Sequence, residues 1–318
     1  MFTTLFFNVF TVFLMMIPGY ILIKKNVIPE STLKNLSNII IKVFYPALIF
    51  SSITKSYSIQ EILNLWQLPF AVFLFCLIGY IIGLAYNGFF KHKDPVRRRS
   101  ILLQLTVNNY SFLPLAIIAK LYDEQHMAAL ILSTLGAELT VWTIGMAIIN
   151  PQKGFNIKNL KNLLSPPLLS IYFSLGILSL FHLFKTNTAA IVENNALLQY
   201  TQSTIAQIGQ AAIPVSLLMV GGRMGTIKFK DLAPIEIWGV TLFRLIIIPM
   251  VGVLFIKGVF PSHPYQNVML IVAVMPSAVS SLVLGELYGG DQHLISGTIL
   301  TSHIVSLITI PLWLLFLL

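Results

Sequence analysis

The stretch Thr106–Leu115, which reads TVNNYSFLPL, lies inside an apolar segment that is long enough to cross a bilayer. Asn108 and Asn109 stand side by side in it, and Pro114 lacks an amide hydrogen and clashes with the carbonyl four residues earlier. Such a segment must kink or unwind. Unwound backbone at membrane depth is tolerated where it is buried in protein or lines a polar cavity, and in transporters it marks the substrate site. Taken alone, the stretch fits a simple proline kink better than a binding site.

The composition is that of an all-α integral membrane protein. Of the 318 residues, 56% are hydrophobic and 10% are charged, against roughly 25% charged residues in a soluble domain. The apolar runs are about 20 residues long, which is typical of helices and not of barrel strands. The net charge of +9 comes largely from short loops, so it indicates membrane topology and we expect no nucleic-acid partner. Cys76 is the lone cysteine, and we expect no metal site or cofactor.

The apolar runs predict ten transmembrane helices joined by short loops. The spans are Thr3–Ile23, Leu33–Ile53, Asn64–Phe90, Arg99–Leu121, Met127–Ile149, Ser165–Phe184, Ile205–Gly222, Ile235–Lys257, Tyr265–Leu287 and Leu294–Phe316. The longest polar connection, Lys185–Thr204, is predicted to contain a short interfacial helix or an extension of span seven. The N-terminal run has no basic residues before it, so we expect a span and not a cleaved signal.

Basic residues concentrate on one side of the predicted spans. The loops after spans one, three, five, seven and nine hold Lys24, Lys25, Lys34, Lys91, Lys93, Arg97, Arg98, Arg99, Lys153, Lys158, Lys161, Arg223, Lys228 and Lys230. The opposite side holds Lys55, Lys120, Lys185 and Lys257. Because short cytoplasmic loops are enriched in lysine and arginine, this asymmetry predicts that both termini lie outside the cytoplasm.

Two segments in different halves of the chain resemble each other. Leu121–Leu135 reads LYDEQHMAALILSTL, and Leu287–His303 reads LYGGDQHLISGTILTSH. Prolines stand at matching places upstream in each half: Pro46 and Pro114, then Pro214 and Pro276. The repeat unit is therefore five spans, 1–150 and 151–318. Since five is odd, the two copies have opposite orientations in the membrane, as in inverted-repeat transporters, where paired broken spans point to the binding site.

Several segments resemble one known family along most of the chain. They are KVFYPALIFSS (Lys42–Ser52), NNYSFLPLAI (Asn108–Ile117), AAIPVSLLMVGGRMG (Ala211–Gly225), LFRLIIIPMVG (Leu242–Gly252), MPSAVSSLVLGELYGGD (Met275–Asp291) and SGTILTSHIVSLITIPLW (Ser296–Trp313). The sequence is similar to the auxin efflux carrier family, which includes the plant PIN proteins and bacterial malate or malonate permease-like members. The resemblance implies a bile acid/sodium symporter-like fold, in which broken helices 4 and 9 cross. It also implies a scaffold of helices 1, 2, 6 and 7 and a moving domain of helices 3–5 and 8–10. The short loop between spans five and six favours the compact bacterial type.

The predicted substrate site is built from the two proline-broken spans. Asparagine amides and serine hydroxyls can donate hydrogen bonds to a carboxylate. The candidate residues are Asn108, Asn109, Ser111, Pro114, Pro276, Ser277, Ser280 and Ser281. For the serines, close packing of small residues between helices is an equally good explanation.

Three ionisable residues near span centres are candidates for coupling, because charges at membrane depth are costly and commonly functional. Glu138 and His303 can each carry a proton. Arg244 keeps its charge and needs an anion or carbonyl groups around it. The structural alternatives are an ion pair between Glu138 and Arg244, and a packed, hydrogen-bonded His303.

These residues predict a secondary active transporter of small organic anions, carboxylates above all, that works by alternating access. We expect it to be proton-coupled or potential-driven, with sodium coupling as the alternative and a channel or transport-fold sensor as a third interpretation. The chain has no HExxH or GxSxG motif, which argues against an enzyme. The expected location is the bacterial inner membrane. The expected partners are the lipid bilayer and the substrate, and a homodimer is left open.

Overall fold

Apolar helices make up almost all of the chain. A computed structural model describes residues 2–150, 157–184, 195–227 and 234–317. In this part of the chain, eight helical stretches are long and apolar enough to cross a membrane. They are Thr3–Lys24, Ser31–Ser56, Ile59–Phe90, Glu124–Ile149, Pro166–Leu183, Ala196–Thr226, Ile235–Val259 and Gln292–Leu317. The protein is therefore a multi-pass, helical membrane protein, as its composition predicts.

Most of these stretches consist of more than one helix. In chain order the helices are α1 (Phe2–Leu14), α2 (Ile17–Lys24), α3 (Ser31–Ile39), α4 (Tyr45–Ser56), α5 (Ile59–Asn64), α6 (Gln67–Phe90), α7 (Pro95–Thr106), α8 (Phe112–Leu121), α9 (Glu124–Thr140), α10 (Met146–Ile149), α11 (Pro166–Leu183), α12 (Ala196–Gln210), α13 (Ala212–Thr226), α14 (Ile235–Leu242), α15 (Ile248–Val259), α16 (Gln266–Ala273), α17 (Ser280–Tyr288) and α18 (Gln292–Leu317). A 3₁₀-helix covers Ile157–Leu164.

Two predicted spans are divided in the structure. Predicted span Arg99–Leu121 consists of α7 and α8, and Tyr265–Leu287 consists of α16 and α17. Each pair is separated by a few residues of non-helical backbone. Both are segments in which the sequence places a proline beside small or polar residues, so a break was expected in each of them.

Predicted span seven is longer than its apolar run indicates. The run is Ile205–Gly222, whereas α12 and α13 together cover Ala196–Thr226. Asn195 begins α12 by accepting a hydrogen bond from the backbone N–H of Leu198 at 3.2 Å. The polar start of this helix explains why hydropathy alone misses it. The preceding part of the predicted interfacial segment, residues 185–194, lies outside the described residues, as do residues 151–156 and 228–233.

Polar side chains mark where several helices begin. Asp94 accepts from the N–H of Val96 at 2.8 Å at the start of α7. Ser58 forms a reciprocal capping arrangement with Glu61 in α5. Asp123 caps α9 by accepting from the N–H of His126. Since the first amides of a helix have no partner within it, these side chains stabilise each start by about 1 kcal/mol.

Three π-helical turns widen the membrane helices, at Ile40–Phe44, Val141–Gly145 and Phe243–Ile247. Pro46 and Pro249 follow the first and the last of these turns, each two residues after the turn ends. Proline removes a backbone hydrogen bond and crowds the preceding turn, and a wider turn relieves this. The π-turns therefore let two prolines sit inside otherwise continuous spans.

Helix packing is closest where glycines face backbone. α2 packs against α13, where a side chain on Gly19 would overlap the carbonyl of Leu218 and one on Gly221 would overlap that of Met16. α4 packs against α11 and α12, and α6 packs against α7 and α9. Further contacts connect α4 with α9, α1 with α18, and α8 with both α1 and α13. Small residues at such contacts let helix backbones approach closely within a bilayer.

Candidate functional site

The two unwound segments, residues 107–111 and 274–279, lie against each other inside the protein. Asn108 and Ser277 form an isolated antiparallel β-bridge, the one pairing of this kind in the described residues. Both residues are fully buried. The two segments that the sequence singled out are thus in direct contact through their backbones.

Two further backbone hydrogen bonds hold the crossing. The N–H of Asn109 donates to the carbonyl of Pro276 at 2.8 Å, and the N–H of Ala278 donates to the carbonyl of Val107 at 3.3 Å. Pro276 therefore lies in the unwound backbone itself. Pro114 lies within the first turn of α8, where a helix has no internal partner for its amides. The break precedes Pro114 and does not fall on it.

The asparagine side chains are bound within the protein. Asn108 donates from Nδ2 to the carbonyl of Val272 in α16. Asn109 Nδ2 lies 3.2 Å from Nε2 of His303 in α18, and His303 Nδ1 lies 2.8 Å from the carbonyl of Ile299. A carbonyl can only accept, so Nδ1 carries the ring proton and Nε2 accepts from Asn109. His303 is therefore joined directly to the crossing through Asn109.

Two of the predicted serines hold the second unwound segment in place. The N–H of Ser277 donates to Ser302 Oγ at 3.3 Å. Ser281 Oγ accepts from Gln104 Nε2 at 2.7 Å and donates to the carbonyl of Ala278 at 2.6 Å. Gln104 thus connects α7 to the start of α17. The Ser281 hydroxyl therefore has a structural role at this crossing, whereas the contact of Ser277 is made by its backbone and does not involve its hydroxyl.

The remaining serines lie at the edge of the crossing. Ser280 is exposed. Ser111 Oγ donates to the hydroxyl oxygen of Tyr45 in α4 at 2.9 Å. The candidate site residues therefore do not form one continuous surface, because Ser280 points away from the buried group that contains Asn108 and Ser277.

Glu138 does not pair with Arg244, so the structure contradicts the ion-pair alternative. Glu138 Oε1 accepts from the hydroxyl of Tyr110 at 2.9 Å, and Oε2 accepts from Trp142 Nε1 at 2.9 Å. Tyr110 belongs to the first unwound segment, and Trp142 lies in the π-turn after α9. Glu138 is therefore linked to the crossing through Tyr110, as His303 is through Asn109.

Arg244 binds carbonyls from both broken spans. Its Nε donates to the carbonyl of Met275 at 3.2 Å, and Nη1 donates to the carbonyl of Leu105 at 3.1 Å. The side chain is fully buried, and its guanidinium lies 5.3 Å from the ring centre of Phe75. Carbonyls at a helix end carry partial negative charge, and an aromatic face attracts a cation. This set of contacts explains how a permanent charge is held at membrane depth.

Several polar atoms at the crossing have no hydrogen-bond partner among the described residues. They are Gln104 Oε1, Asn108 Oδ1, Ser277 Oγ and Arg244 Nη2. Buried polar atoms are normally paired with protein or water. A site for a polar ligand, an ion or bound water would need unpaired donors and acceptors close together, and the crossing provides both.

Sequence reasoning missed three of the side chains that complete this arrangement. Tyr45 and Trp142 bind Ser111 and Glu138, and Ser302 binds the backbone of Ser277. Tyr45 stands next to Pro46 in one of the repeated proline segments, and that position was an available signal. Trp142 lies four residues after Glu138, which is the helical spacing for two side chains on one face.

Comparisons with known proteins cover nearly the whole chain. The profile of a family described as Membrane transport protein matches residues 4–314. An uncharacterised transporter of Methanocaldococcus jannaschii is 29% identical over 312 residues, which cover 96% of each chain. An uncharacterised transporter of Methanothermobacter thermautotrophicus is 25% identical over 315 residues, again 96% of each. The protein PIN-LIKES 1 of Arabidopsis thaliana is 22% identical over 345 residues, covering 91% of this chain and 73% of the plant protein.

Proposed function

The chain belongs to the Membrane transport protein family, that of the auxin efflux carriers, and from this we propose that it is a secondary active transporter of small organic anions. The observation that carries the proposal is the crossing of two unwound segments, bridged at Asn108 and Ser277. Broken helices that meet inside a membrane protein expose backbone groups to a buried space, and transporters use them to bind substrates and ions.

The proposed architecture is ten membrane helices in two inverted repeats, 1–150 and 151–318. Helix contacts support a scaffold of helices 1, 2, 6 and 7, because α2 packs on α13 and α4 packs on α11 and α12. Helices 3–5 and 8–10 form the proposed moving domain, in which α6 contacts α7, α9 and α15. Alternating access would then move the crossing relative to α4 and α13.

Electrostatics at the crossing support an anionic substrate. Arg244 contributes a buried positive charge. Helices α8 and α17 both begin at the crossing. The N–H of Leu113 in the first turn of α8 donates to Asn109 Oδ1 at 3.5 Å, and the N–H groups of Ser281 and Leu282 in α17 donate to backbone carbonyls. The partial positive charge of the two helix starts remains, and it favours carboxylates. The substrate class proposed is therefore small carboxylates, with their charged end near Asn109 and the first turn of α8.

Coupling is proposed to use protons carried by Glu138 and His303. Both side chains are hydrogen-bonded to the first unwound segment, Glu138 through Tyr110 and His303 through Asn109. A change of protonation at either residue would therefore alter a bond that holds the crossing. Sodium coupling is the second candidate, because the unpaired oxygens of Gln104, Asn108 and Ser277 are of the type that hard cations bind.

Uptake of radiolabelled carboxylates into proteoliposomes tests the transport function. We expect saturable uptake that responds to an ion gradient, with malate and malonate as the first substrates to test. Asn109→Ala should reduce uptake at least tenfold, because it removes the amide that links the crossing to His303. Asn35→Ala, at an exposed position of α3, is the matched control. Flux that does not saturate would support a channel and reject the proposal.

The two coupling ions are separated by the same assay. With proton coupling, uptake should depend on a pH gradient in the wild type and lose this dependence in Glu138→Gln. The glutamine keeps an acceptor for Tyr110 or Trp142, so folding should be largely retained. Uptake that requires sodium, ignores pH and persists in Glu138→Gln would instead establish the sodium alternative.

A further inference from the structure

Two adjacent cavities lie on the outer face of α7, away from the crossing. The larger has a volume of about 390 Å³ and is lined by Tyr80, Arg99, Leu102 and part of the α9–α10 region. The smaller has a volume of about 320 Å³ and is lined by Asn87, Arg98, Arg99 and Leu102, among others. The cavities share Arg99 and Leu102, so they form one groove between α6, α7 and α10.

The groove is charged at one end and apolar at the other. Arg98 and Arg99 lie in the first turns of α7. The far end is formed by Tyr80, Ile144 and Ile148. Tyr80 lies ten residues before the end of α6, which corresponds to about 15 Å along the helix axis. The groove therefore extends from the level where α7 begins into the hydrophobic part of the helix bundle.

The two arginines in the groove carry unbalanced charge. Their neighbour Arg97 binds Glu236 at 3.4 Å and Asp291 at 4.0 Å. Among the described residues, no carboxylate lies within salt-bridge distance of Arg98 or Arg99. Arg99 Nε is also buried without a hydrogen-bond partner in this part of the structure. The groove thus attracts an anion, and it has a donor available for one.

A second unpaired polar atom lies in the same groove. Asn87 is 5% exposed, and its Nδ2 donates to the carbonyl of Arg98 at 2.9 Å. Its Oδ1 has no partner among the described residues. An oxygen acceptor beside two guanidinium groups suits a ligand that combines a phosphate with a hydroxyl group. Leu84, on the wall beside Asn87, is 47% exposed, so the groove borders the lipid-facing surface of α6.

We propose that this groove binds an anionic phospholipid. The phosphate lies between Arg98 and Arg99, a headgroup hydroxyl donates to Asn87 Oδ1, and an acyl chain follows Leu102 towards Ile144. Charge complementarity and the apolar inner end together favour a lipid over a soluble anion, because a free phosphate would leave the inner end unfilled. Basic pockets between membrane helices are suited to acidic headgroups, and each arginine contributes about fivefold in affinity near an anionic surface.

Native mass spectrometry of the purified protein tests this site with three probes. The probes are phosphatidylglycerol, phosphatidylcholine with the same acyl chains, and glycerol 3-phosphate, which lacks acyl chains. We expect phosphatidylglycerol to bind roughly thirtyfold more tightly than phosphatidylcholine, since two arginines contribute. Glycerol 3-phosphate should not displace it. Equal binding of the two lipids would overturn the proposal, and displacement by glycerol 3-phosphate would identify a soluble-anion site instead.

Matched variants locate the binding. Arg98→Gln/Arg99→Gln should remove the preference for phosphatidylglycerol. Lys25→Gln/Lys34→Gln removes the same charge at exposed positions and should keep the preference. Ala147→Trp, which retains both arginines and fills the apolar end, should weaken phosphatidylglycerol binding at least fivefold. An equal loss in the two charge variants, or no loss in Ala147→Trp, would reject the groove as the site. The readout is binding, so the result is independent of the proposed transport activity.

Discussion

Arg244 shows how backbone carbonyls can hold a permanent charge at membrane depth. Two of its nitrogens bind carbonyls of Leu105 and Met275, one from each broken span. The sequence predicts that an arginine at this depth needs carbonyls or an anion. It cannot predict which carbonyls, because they come from residues 139 positions before and 31 positions after it in the chain.

Arg244→Met should destabilise the crossing more than any single serine substitution there. It leaves two buried carbonyls without a donor, at about 1–3 kcal/mol each, although removing a buried charge offsets part of this. We expect the free energy of unfolding to fall by about 2–4 kcal/mol and transport to be lost. Arg244→Lys should be intermediate, because lysine lacks the planar fork. Thermal unfolding in detergent measures the effect, with Arg223→Met as control. An unchanged melting temperature would contradict the proposed bracing of both spans.

His263 predicts a pH dependence of stability outside the membrane spans. Burial lowers the pKa of His263 below 6.5, its ordinary value, and its Nδ1 accepts from the N–H of Tyr265 at 3.1 Å. The folded state therefore favours the neutral ring. The stabilising effect of the neutral ring is complete above about pH 6.5 and is lost progressively as the pH falls towards the lowered pKa of the folded state.

The measurement is the melting temperature between about pH 7.5 and pH 5.5, a range that brackets the ordinary histidine pKa. His263→Asn keeps an acceptor for Tyr265 but does not titrate, so its melting temperature should change less with pH than that of the wild type. His182→Asn, at an exposed position of α11, should behave as the wild type does. Identical pH profiles for the wild type and His263→Asn would show that this loop does not respond to pH.

At the scale of the helix, hydropathy and proline positions predict most of what the structure contains. The apolar runs locate every stretch that the structure shows as a membrane helix, with errors at polar ends such as Asn195–Thr204. Pro114 and Pro276 predict breaks, but the two breaks differ. Pro276 lies within the unwound backbone, whereas Pro114 follows it in the first turn of α8. Backbone pairing between the two segments, and not proline alone, determines where each helix ends.

Helix contact through glycine gives a prediction at the same scale. A Cβ on Gly221 would overlap backbone atoms of Met16, so α13 and α2 would have to move apart. Gly221→Ala should lower the free energy of unfolding by about 1–3 kcal/mol. Gly176 in α11 has no atom within 4 Å of a Cβ position. Gly176→Ala should therefore be neutral or stabilise by up to about 1 kcal/mol. Equal effects of the two variants on thermal unfolding would show that α2 and α13 are not closely packed.

For the whole molecule, the sequence predicts orientation but not the contacts between domains. The distribution of lysine and arginine predicts on which side of the membrane each loop lies, and this topology stays a prediction. Two of the contacts that join the proposed scaffold to the moving domain are made by side chains that bind residues far away in sequence. Lys55 binds Glu124 at 2.7 Å, and the hydroxyl of Tyr57 donates to the carbonyl of Gln125 at 2.6 Å. Neither pair has a local pattern that sequence reasoning could use.

Thiol labelling tests the orientation with positions at the two ends of one helical stretch. Lys34 and Lys55 lie near opposite ends of Ser31–Ser56, and both are exposed. In intact cells, a membrane-impermeant maleimide should label Lys55→Cys and not Lys34→Cys. The single native thiol, Cys76, is buried, so the wild type should give no signal. Labelling of Lys34→Cys alone would invert the predicted topology.

The three π-turns have a consequence for how the length of this chain can change. A π-turn is a single widened turn that contains one residue more than the α-helical turn it replaces. Deleting one residue from a regular helix such as α14 would rotate everything on one side of the deletion by about 100°. Deleting one residue from Phe243–Ile247 would instead give an ordinary turn and leave the flanking helices nearly in register. Pro249 would then crowd the turn before it, because the wider turn that accommodates it would be gone. The π-turns are therefore the places where these spans can lose a residue without rotating, and the prolines after two of them favour keeping it.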